Sequence, residues 1–318
     1  MRMPPQIRQS GLALITVMLV VAIVATIATF LSLNQQIWIR QAENIRTAAQ
    51  ANAVRQGAVD AAGALLDEDA KSNKVDSLAE PWARVLPPFA FRDGSVSIAI
   101  EDAQGRFNIN NLLKDGNPST DDIGVYTRLL AYRGLDRHLV DTLIDWMDSD
   151  RRTRPGGAED VDYLSDNPSY RTANQALVDV NELRRVRGYT PKVMAALSDL
   201  LIALPERTAI NVNTARPEVL GALFASMDLD AAKNLAQNLA NSPLSSTGDL
   251  AKRAPGQTLS KAATSVNSTY FLVSVRPDLG RYHQTTVTLL HRPGGSKPSE
   301  ALWQTRPVII VAKSPTSE

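Results

Sequence analysis

Ten carboxylates crowd residues 141–182, opposed by four arginines and no lysine, in a chain whose formal net charge is only +1. The centre of this window reads DWMDSDRRTRPGGAEDVDYL, from Asp145 to Leu164. Asp145 and Asp148 are three residues apart, on one face at the end of a helical pattern, and Asp150 follows in a loop. Pro155-Gly156-Gly157 can fold the chain back and bring Glu159, Asp160 and Asp162 to the same place. Calcium takes roughly six to eight oxygen ligands in a flexible shell, and a cluster of carboxylates and backbone carbonyls supplies them. Left without a cation, such a cluster repels itself. The alternative is a solvated acidic loop paired with Arg151, Arg152 and Arg154, whose surface ion pairs contribute about 0–1 kcal/mol each. Residue types alone leave both readings open. The loop is not an EF-hand, because the D-x-D-x-D-G spacing and a glutamate at the twelfth position are missing.

Other chemistry is poorly supported. There is no cysteine, so no disulfide, thiolate metal site or cysteine nucleophile is possible. His138, His283 and His291 lack ligand spacing, and no nucleophile-elbow, zinc-protease or phosphate-loop motif occurs. Paired carboxylates could serve an anchored carbohydrate-active enzyme, but a sugar cleft wants stacking aromatics, and these make up only 5% of the chain. We expect no enzyme. Two segments echo each other, Phe107-Asn108-Ile109-Asn110-Asn111-Leu112 and Ile210-Asn211-Val212-Asn213-Thr214-Ala215. Each leads into a helical pattern, with Asn213 or Thr214 suited to cap a helix that takes Pro217 in its first turn. INVNTARPEVLGAL also resembles the opening of a helix-hairpin-helix unit, which would make the chain a membrane-anchored DNA-binding protein. The basic glycine hairpin of that unit is absent, and Asp228 and Asp230 stand near its place, where they would repel phosphate. The capping turn is the preferred reading, and no nucleic acid partner is expected.

The elements that carry these residues begin at the amino terminus. After the basic leader MRMPPQIRQSG, Leu12 to Leu33 is an uncharged run of 22 residues. As a helix it reaches roughly 33 Å, enough to cross a bilayer. Arg2 and Arg8 precede it, which keeps the amino terminus cytoplasmic and sends the bulk of the chain to the far side, the periplasm of a two-membrane host. The helical pattern continues to about Asp67, since no proline occurs between Pro5 and Pro81. Ser95–Asn110 reads as a hairpin with a turn at 102–105, and Tyr270–Val275 with Tyr282–His291 as a second. Trp303–Val311 adds a strand that Pro307 assigns to an edge. Helical patterns fill the interval: Gly124–Tyr132, Arg137–Met147, Val178–Arg187, Pro191–Ala203, Arg216–Ser226 and Asp230–Asn241. A sheet interrupted by so many helices suggests an inserted domain.

The leader ends in Ser10-Gly11 before the apolar run, the arrangement of a type IV prepilin signal rather than of a secretory one. Counted from Leu12, the fifth residue is Thr16, where most pilin-like proteins have a glutamate. With the long chain, this resembles the protein K family of minor pseudopilins in type II secretion systems. Asp145-Trp146 with Asp148 and Asp150, followed by Gly157-Ala158-Glu159-Asp160, is similar to the calcium-binding region of that family. The resemblance implies an α+β, pilin-like fold: a long N-terminal transmembrane helix packed on a small antiparallel sheet, with a large inserted all-helical domain. It divides the chain into a leader 1–11, a membrane helix 12–33, a body in two parts 34–111 and 266–311, the helical insertion 112–265 and a tail 312–318. It implies cleavage between Gly11 and Leu12 by prepilin peptidase, and one or two structural calcium ions. The ligands would be Asp145, Asp148, Asp150, Glu159 and Asp160, with Asp162 as an extra or substitute ligand and Asp179 as a weaker candidate. Its partners would be the minor pseudopilins I and J, with the outer-membrane secretin and cargo beyond them. The site would be the bacterial inner membrane, crossed once. The function implied is to sit at the tip of the pseudopilus, help start the filament and export folded proteins.

Overall fold

A single helix runs from Ser10 to Ser72, 63 residues and roughly 95 Å long. The computed structural model describes residues 10–84, 86–294 and 297–306, with side chains from Ala13 onward. The leader before Ser10 and the tail 312–318 lie outside the described residues. From Ala13 to Leu33 every side chain is exposed in the isolated chain, so this half of the helix has no internal partner. Its second half is amphipathic. Ala58, Val59, Ala62 and Leu66 fall on one face at helical spacing and bury against a sheet.

That sheet has five antiparallel strands in the order Phe89–Phe91, Gly94–Asp102, Tyr270–Asp278, Thr286–His291, Glu300–Thr305. Side-chain alternation gives it two apolar faces. Phe271, Val273, Val275 and Leu290 pack on the long helix with Val96 and Trp82. Tyr270, Leu272 and Leu289 point the other way, onto Ile202 and Leu204. The second expected hairpin is present, with Thr286 opposite Val275 and His291 opposite Tyr270. The last strand lies at the edge, as expected, but is described only over Glu300–Thr305; the rest of the expected 303–311 strand lies outside the described residues.

The first expected hairpin does not form. Asp102 ends the Gly94–Asp102 strand and turns its carboxylate to the Gln104 N–H (2.8 Å), and a short 3-10 turn follows. Phe107-Asn108 then pairs in parallel with Leu201-Ile202 instead of folding back on Val96–Ile100. The central strand partner of Gly94–Asp102 is Tyr270–Asp278, with Asp102 opposite Phe271.

Between those two strands lies a helical region with its own core, running from Phe107 to Ala262. Its helices are Thr120–Tyr132, Leu139–Met147, Asp160–Leu164, Pro191–Leu197, Pro217–Ala222, Leu229–Asn241 and Leu250–Arg253. The expected helix over Val178–Arg187 is instead a 3-10 turn at Val180–Arg185, and the expected helix over Pro191–Ala203 stops at Leu197 before the Leu201-Ile202 strand. The echoed segments also differ from expectation. Arg216, not Asn213 or Thr214, occupies the cap position before Pro217, with no side-chain capping bond. Asn213 exchanges both amide hydrogen bonds with the Leu244 backbone (2.8 and 3.0 Å). Asn110 is bonded to Leu177 and Leu204 in a similar way. The paired asparagines are therefore splices between distant loops.

Candidate metal centre

The Leu139–Met147 helix buries Leu139, Leu143, Ile144 and Met147, which sets Asp145 at the start of the opposite edge of its last turn. Asp145 is nevertheless fully buried, and Asp148, the residue that ends the helix, is nearly so. The chain then loops out. Asp150 accepts the Arg152 N–H (2.7 Å), which holds the first bend. The return rests on two glycines. Gly156 has φ +88°, and a Cβ at Gly157 would fall on the Asp145 carboxylate. The Arg154 N–H donates to Asp145 Oδ2 (3.0 Å) and ties the returning strand of the loop to the helix. Glu159 and the Asp160–Leu164 helix follow, held by an aromatic cluster in which Trp146 meets Tyr163 (5.2 Å) and Tyr170 (6.1 Å).

This folding gathers oxygens. Carboxylate oxygens of Asp148, Asp150 and Glu159 lie within 4.8 Å of one another. Asp145 Oδ1, Asp148 Oδ1 and Glu159 Oε1 are buried and have no hydrogen-bond partner among the described residues. Buried acceptors are ordinarily satisfied, and a buried carboxylate oxygen without a donor is costly. Burial pushes the Asp145 carboxyl up to about 6, reinforced by Asp148, although the Arg154 N–H opposes it. Burial also raises Glu159 to about 7, with Asp145, Asp148 and Asp150 adding repulsion, and raises Asp148 in the same sense. Such a constellation can do two things: hold protons, or hold a hard cation that removes the repulsion and coordinates the orphaned oxygens. The donor set is all oxygen, which suits calcium and not a soft transition metal.

The geometry divides the seven residues named from the sequence. Asp148, Asp150 and Glu159 come together, and Asp145 stands beside them, near enough to raise the Glu159 carboxyl. Asp160, Asp162 and Asp179 do not join them. Asp160 accepts from the Thr172 N–H and hydroxyl (3.0 and 2.9 Å) and faces Arg171. Those bonds hold its carboxyl below the usual range. Asp162 accepts the Glu159 N–H (3.0 Å) and pairs with Arg187 (3.4 Å). Asp179 caps the Val180–Arg185 turn through the Asn181 N–H (2.6 Å). Arg154 pairs with Asp141 (3.3 Å), and Arg151 and Arg152 have no ion pair among the described residues, so no loop arginine pairs directly with Asp148, Asp150 or Glu159, although the Arg154 charge favours ionised Asp145 and Asp148.

At the other named site, Gly11 and Leu12 lie in the first turns of the long helix, and Thr16 donates its hydroxyl to the Ala13 carbonyl (2.9 Å).

A second constellation was not anticipated from the sequence. Asp102, fully buried, accepts from Ser268 (2.6 Å), Thr214 (2.6 Å) and Asn211 (2.8 Å). Asn211 also reaches the Asp76 carbonyl, and Asp76 takes a bidentate hydrogen bond from Arg292 (2.6 and 2.7 Å). Sheet, long-helix exit and helical region meet in this network. The only local hint was Asn211 in the echoed motif.

Comparison with known proteins places the chain. Two family models, both described as type II secretion system protein K, match residues 105–206 and 210–274. The type II secretion system protein K of Pseudomonas aeruginosa is 35% identical over 298 residues, covering 89% of each chain. That of Klebsiella pneumoniae is 32% identical over 305 residues, covering 90% of this chain and 94% of the other. A chain in the crystal structure of the GspK-GspI-GspJ complex from enterotoxigenic Escherichia coli shares the fold, with a TM-score of 0.69 and 24% identity over 84% of this chain and 99% of that one. The helix-hairpin-helix reading gains nothing from these matches, and Asp228 is used to cap the Leu229–Asn241 helix through the Ala231 N–H (2.8 Å). A membrane-length apolar helix, an antiparallel sheet, a helical domain and these relatives together assign the chain to the type II secretion system protein K family, the minor pseudopilins of protein secretion.

Proposed function

We propose that this chain is cut between Gly11 and Leu12 by prepilin peptidase, is N-methylated at Leu12, and assembles with pseudopilins I and J at the tip of the pseudopilus. It crosses the inner membrane once, with its amino terminus cytoplasmic and its globular part periplasmic. Its work is assembly: it helps to start the filament and faces the secretin and the cargo, with no catalytic step of its own. The observation that carries this is the pairing of Thr16 with the bulky helical domain. In pilin-like assemblies a carboxylate at the fifth position can neutralise the terminus of a neighbouring subunit in lipid, where an unpaired charge is expensive. A threonine bonded to its own helix has no such charge to offer a subunit above it. The helical domain, appended beyond the sheet, obstructs further stacking. The E. coli chain of similar fold occurs in a complex with pseudopilins I and J, which supports the same partners here.

We further propose that Asp145, Asp148, Asp150 and Glu159 hold one calcium ion, supported by their three orphaned oxygens. The role of that ion is structural, since it would bind the folded loop and not the unfolded one. Intact mass of the mature protein, from cells with and without prepilin peptidase, tests the processing. A peptidase-dependent cut after Gly11 is expected; an uncut chain, or a cut after Leu33, overturns the assignment. Replacing Thr16 by Glu is expected to leave cleavage intact.

A further inference from the structure

A cleft of about 750 Å³ opens at the end of the body nearest the apolar run, between the long helix and the tip of the Tyr270–His291 hairpin. Arg40 and Arg46 line it from the helix, and Arg281 from the hairpin tip. None of the three guanidinium groups has an ion pair or hydrogen bond among the described residues. Glu43 and Asp93 line it as well and are equally unpaired there. At the junction with the helical domain the arrangement is different, because Arg106 and Arg216 both pair with Glu101 (2.8 and 3.1 Å). Unpaired arginines converging from two elements are not a folding requirement. They repel each other, and a planar guanidinium pairs best with a carboxylate or a phosphate.

Position selects between those ligands. The uncharged run ends at Leu33. By the helix rise, Arg40 lies about 10 Å beyond it and Arg46 about 20 Å. The polar layer of one leaflet extends only roughly 5–8 Å past the hydrocarbon, so the cleft lies in the aqueous space, out of reach of lipid phosphates. Ile45 stands beside Arg46, 71% exposed and about 18 Å past Leu33. The first fully buried residue of the helix, Ala51, comes only later, so neither lipid nor the chain's own sheet covers Ile45. A large exposed apolar side chain next to unmet guanidinium groups suits contact with another protein, where arginine and apolar area are both enriched. Among protein groups, the ligand of a guanidinium is a carboxylate.

We propose that this cleft clasps the carboxylate of a single aspartate or glutamate on a neighbouring pseudopilin, approaching from the membrane side, with Arg40, Arg46 and Arg281 as donors. Three guanidinium groups against two resident carboxylates leave one positive charge, which one acidic side chain neutralises. A clasp assembled from both helix and hairpin fixes the angle between subunits, since charge complementarity sets partner choice and orientation more than raw affinity. It also fits the tip position, because a subunit with nothing above it has its binding groups below. The proposal rests on the reading of this chain as a subunit that assembles with pseudopilins I and J.

The test uses the full chain, co-expressed with pseudopilins I and J and extracted in detergent. Arg46→Lys and Arg281→Lys keep the charge and supply an amine. A carbodiimide joins that amine to a touching carboxylate as an amide and itself takes up the water released. Mass spectrometry is expected to find position 46 or 281 joined to one acidic residue of I or J, a link absent from wild type. Arg46→Glu combined with Arg281→Glu should lower the co-purified I and J at least about tenfold. Exchanging the linked acid of the partner for arginine should restore them. The lysine variants read the site even if the double reversal fails to fold. Links confined to this chain overturn the proposal in favour of an internal carboxylate, and links between two copies of it in favour of self-association. No link at all, or undiminished co-purification of the folded double reversal, overturns the clasp and leaves assembly with I and J standing. Wild type that does not co-purify with I and J overturns the assembly reading beneath it.

Discussion

Two acidic clusters in this molecule solve the same electrostatic problem differently. Asp69, Asp76 and Glu80 lie as close together as Asp148, Asp150 and Glu159. In the first cluster the chain supplies its own counter-charge. Arg292 grips Asp76 with both oxygens, lies 3.8 Å from Asp69 and stacks 4.6 Å over Phe271. Glu80 takes hydrogen bonds from Trp82 and Asn73. In the second cluster no arginine forms an ion pair among the described residues, and buried oxygens of Asp148, Glu159 and the adjacent Asp145 have no donor there. The lesson is that carboxylate density alone does not mark a candidate cation site; unmet acceptors set this one apart. A fold that brings its own guanidinium is neutralised permanently, whereas one that leaves acceptors unmet keeps a place where a cation would add stability.

The largest effect that could break this contrast is at Arg292. Arg292→Met leaves Asp76 buried and uncompensated, and should cost about 3–5 kcal/mol. Calcium should not restore the loss; recovery by calcium in thermal melts would make the two clusters equivalent. Next is calcium removal. At a free concentration of about 100 times Kd, calcium adds about 2.7 kcal/mol, a rise of roughly 5–10 °C in Tm for the helical domain. Chelation should reverse it, and Asp145→Asn combined with Glu159→Gln should melt alike with and without calcium.

The pH dependence sharpens the comparison. The folded carboxyls of Asp145 and Glu159 are raised to about 6 and about 7, above their unfolded values. Without calcium, the folded state thus binds more protons than the unfolded one between pH ~4 and ~7, and stability declines as pH rises through that window. Calcium competes with those protons, so its Tm increment should grow from pH 5 to pH 7.5. Glu80, also raised to about 7 by burial, gives the body a decline in the same sense that calcium does not correct. The smallest effect is expected at Asp179→Ala, which removes a cap worth about 1 kcal/mol and leaves calcium binding unchanged by isothermal titration. A large loss of calcium affinity there would return Asp179 to the ligand set.

What was legible in the sequence followed from periodicity and exclusion. The long helix could be read because 22 uncharged residues and a proline-free stretch admit little else. The Tyr270–His291 hairpin could be read because its partners are adjacent and alternate cleanly. The Ser95–Asn110 hairpin misled because Phe107 and Ile109 continue the alternation while pairing is decided elsewhere, by Leu201-Ile202 nearly a hundred residues on. Within the acidic window, Asp160 and Asp162 carry the same carboxylate group as Glu159 and stand almost beside it in the chain. Only the structure shows that they serve Thr172, Arg187 and the local backbone. The Asp102 network was invisible because its members, Asp76, Asn211, Ser268 and Arg292, have no periodic relation in the chain.

The register of Asp102 against Phe271 has a mechanical consequence. Ser268 and Asp102, 166 residues apart, are joined by a 2.6 Å hydrogen bond beside that pair. In topological terms the whole helical domain is the connection between two neighbouring antiparallel strands, hung from a closed neck. While that hydrogen bond holds, a domain that unfolds keeps its two ends together. Refolding then begins with the loop already closed, without the closure entropy that a free chain of that length must lose. Under that condition the helical domain can unfold and refold on a sheet that stays paired.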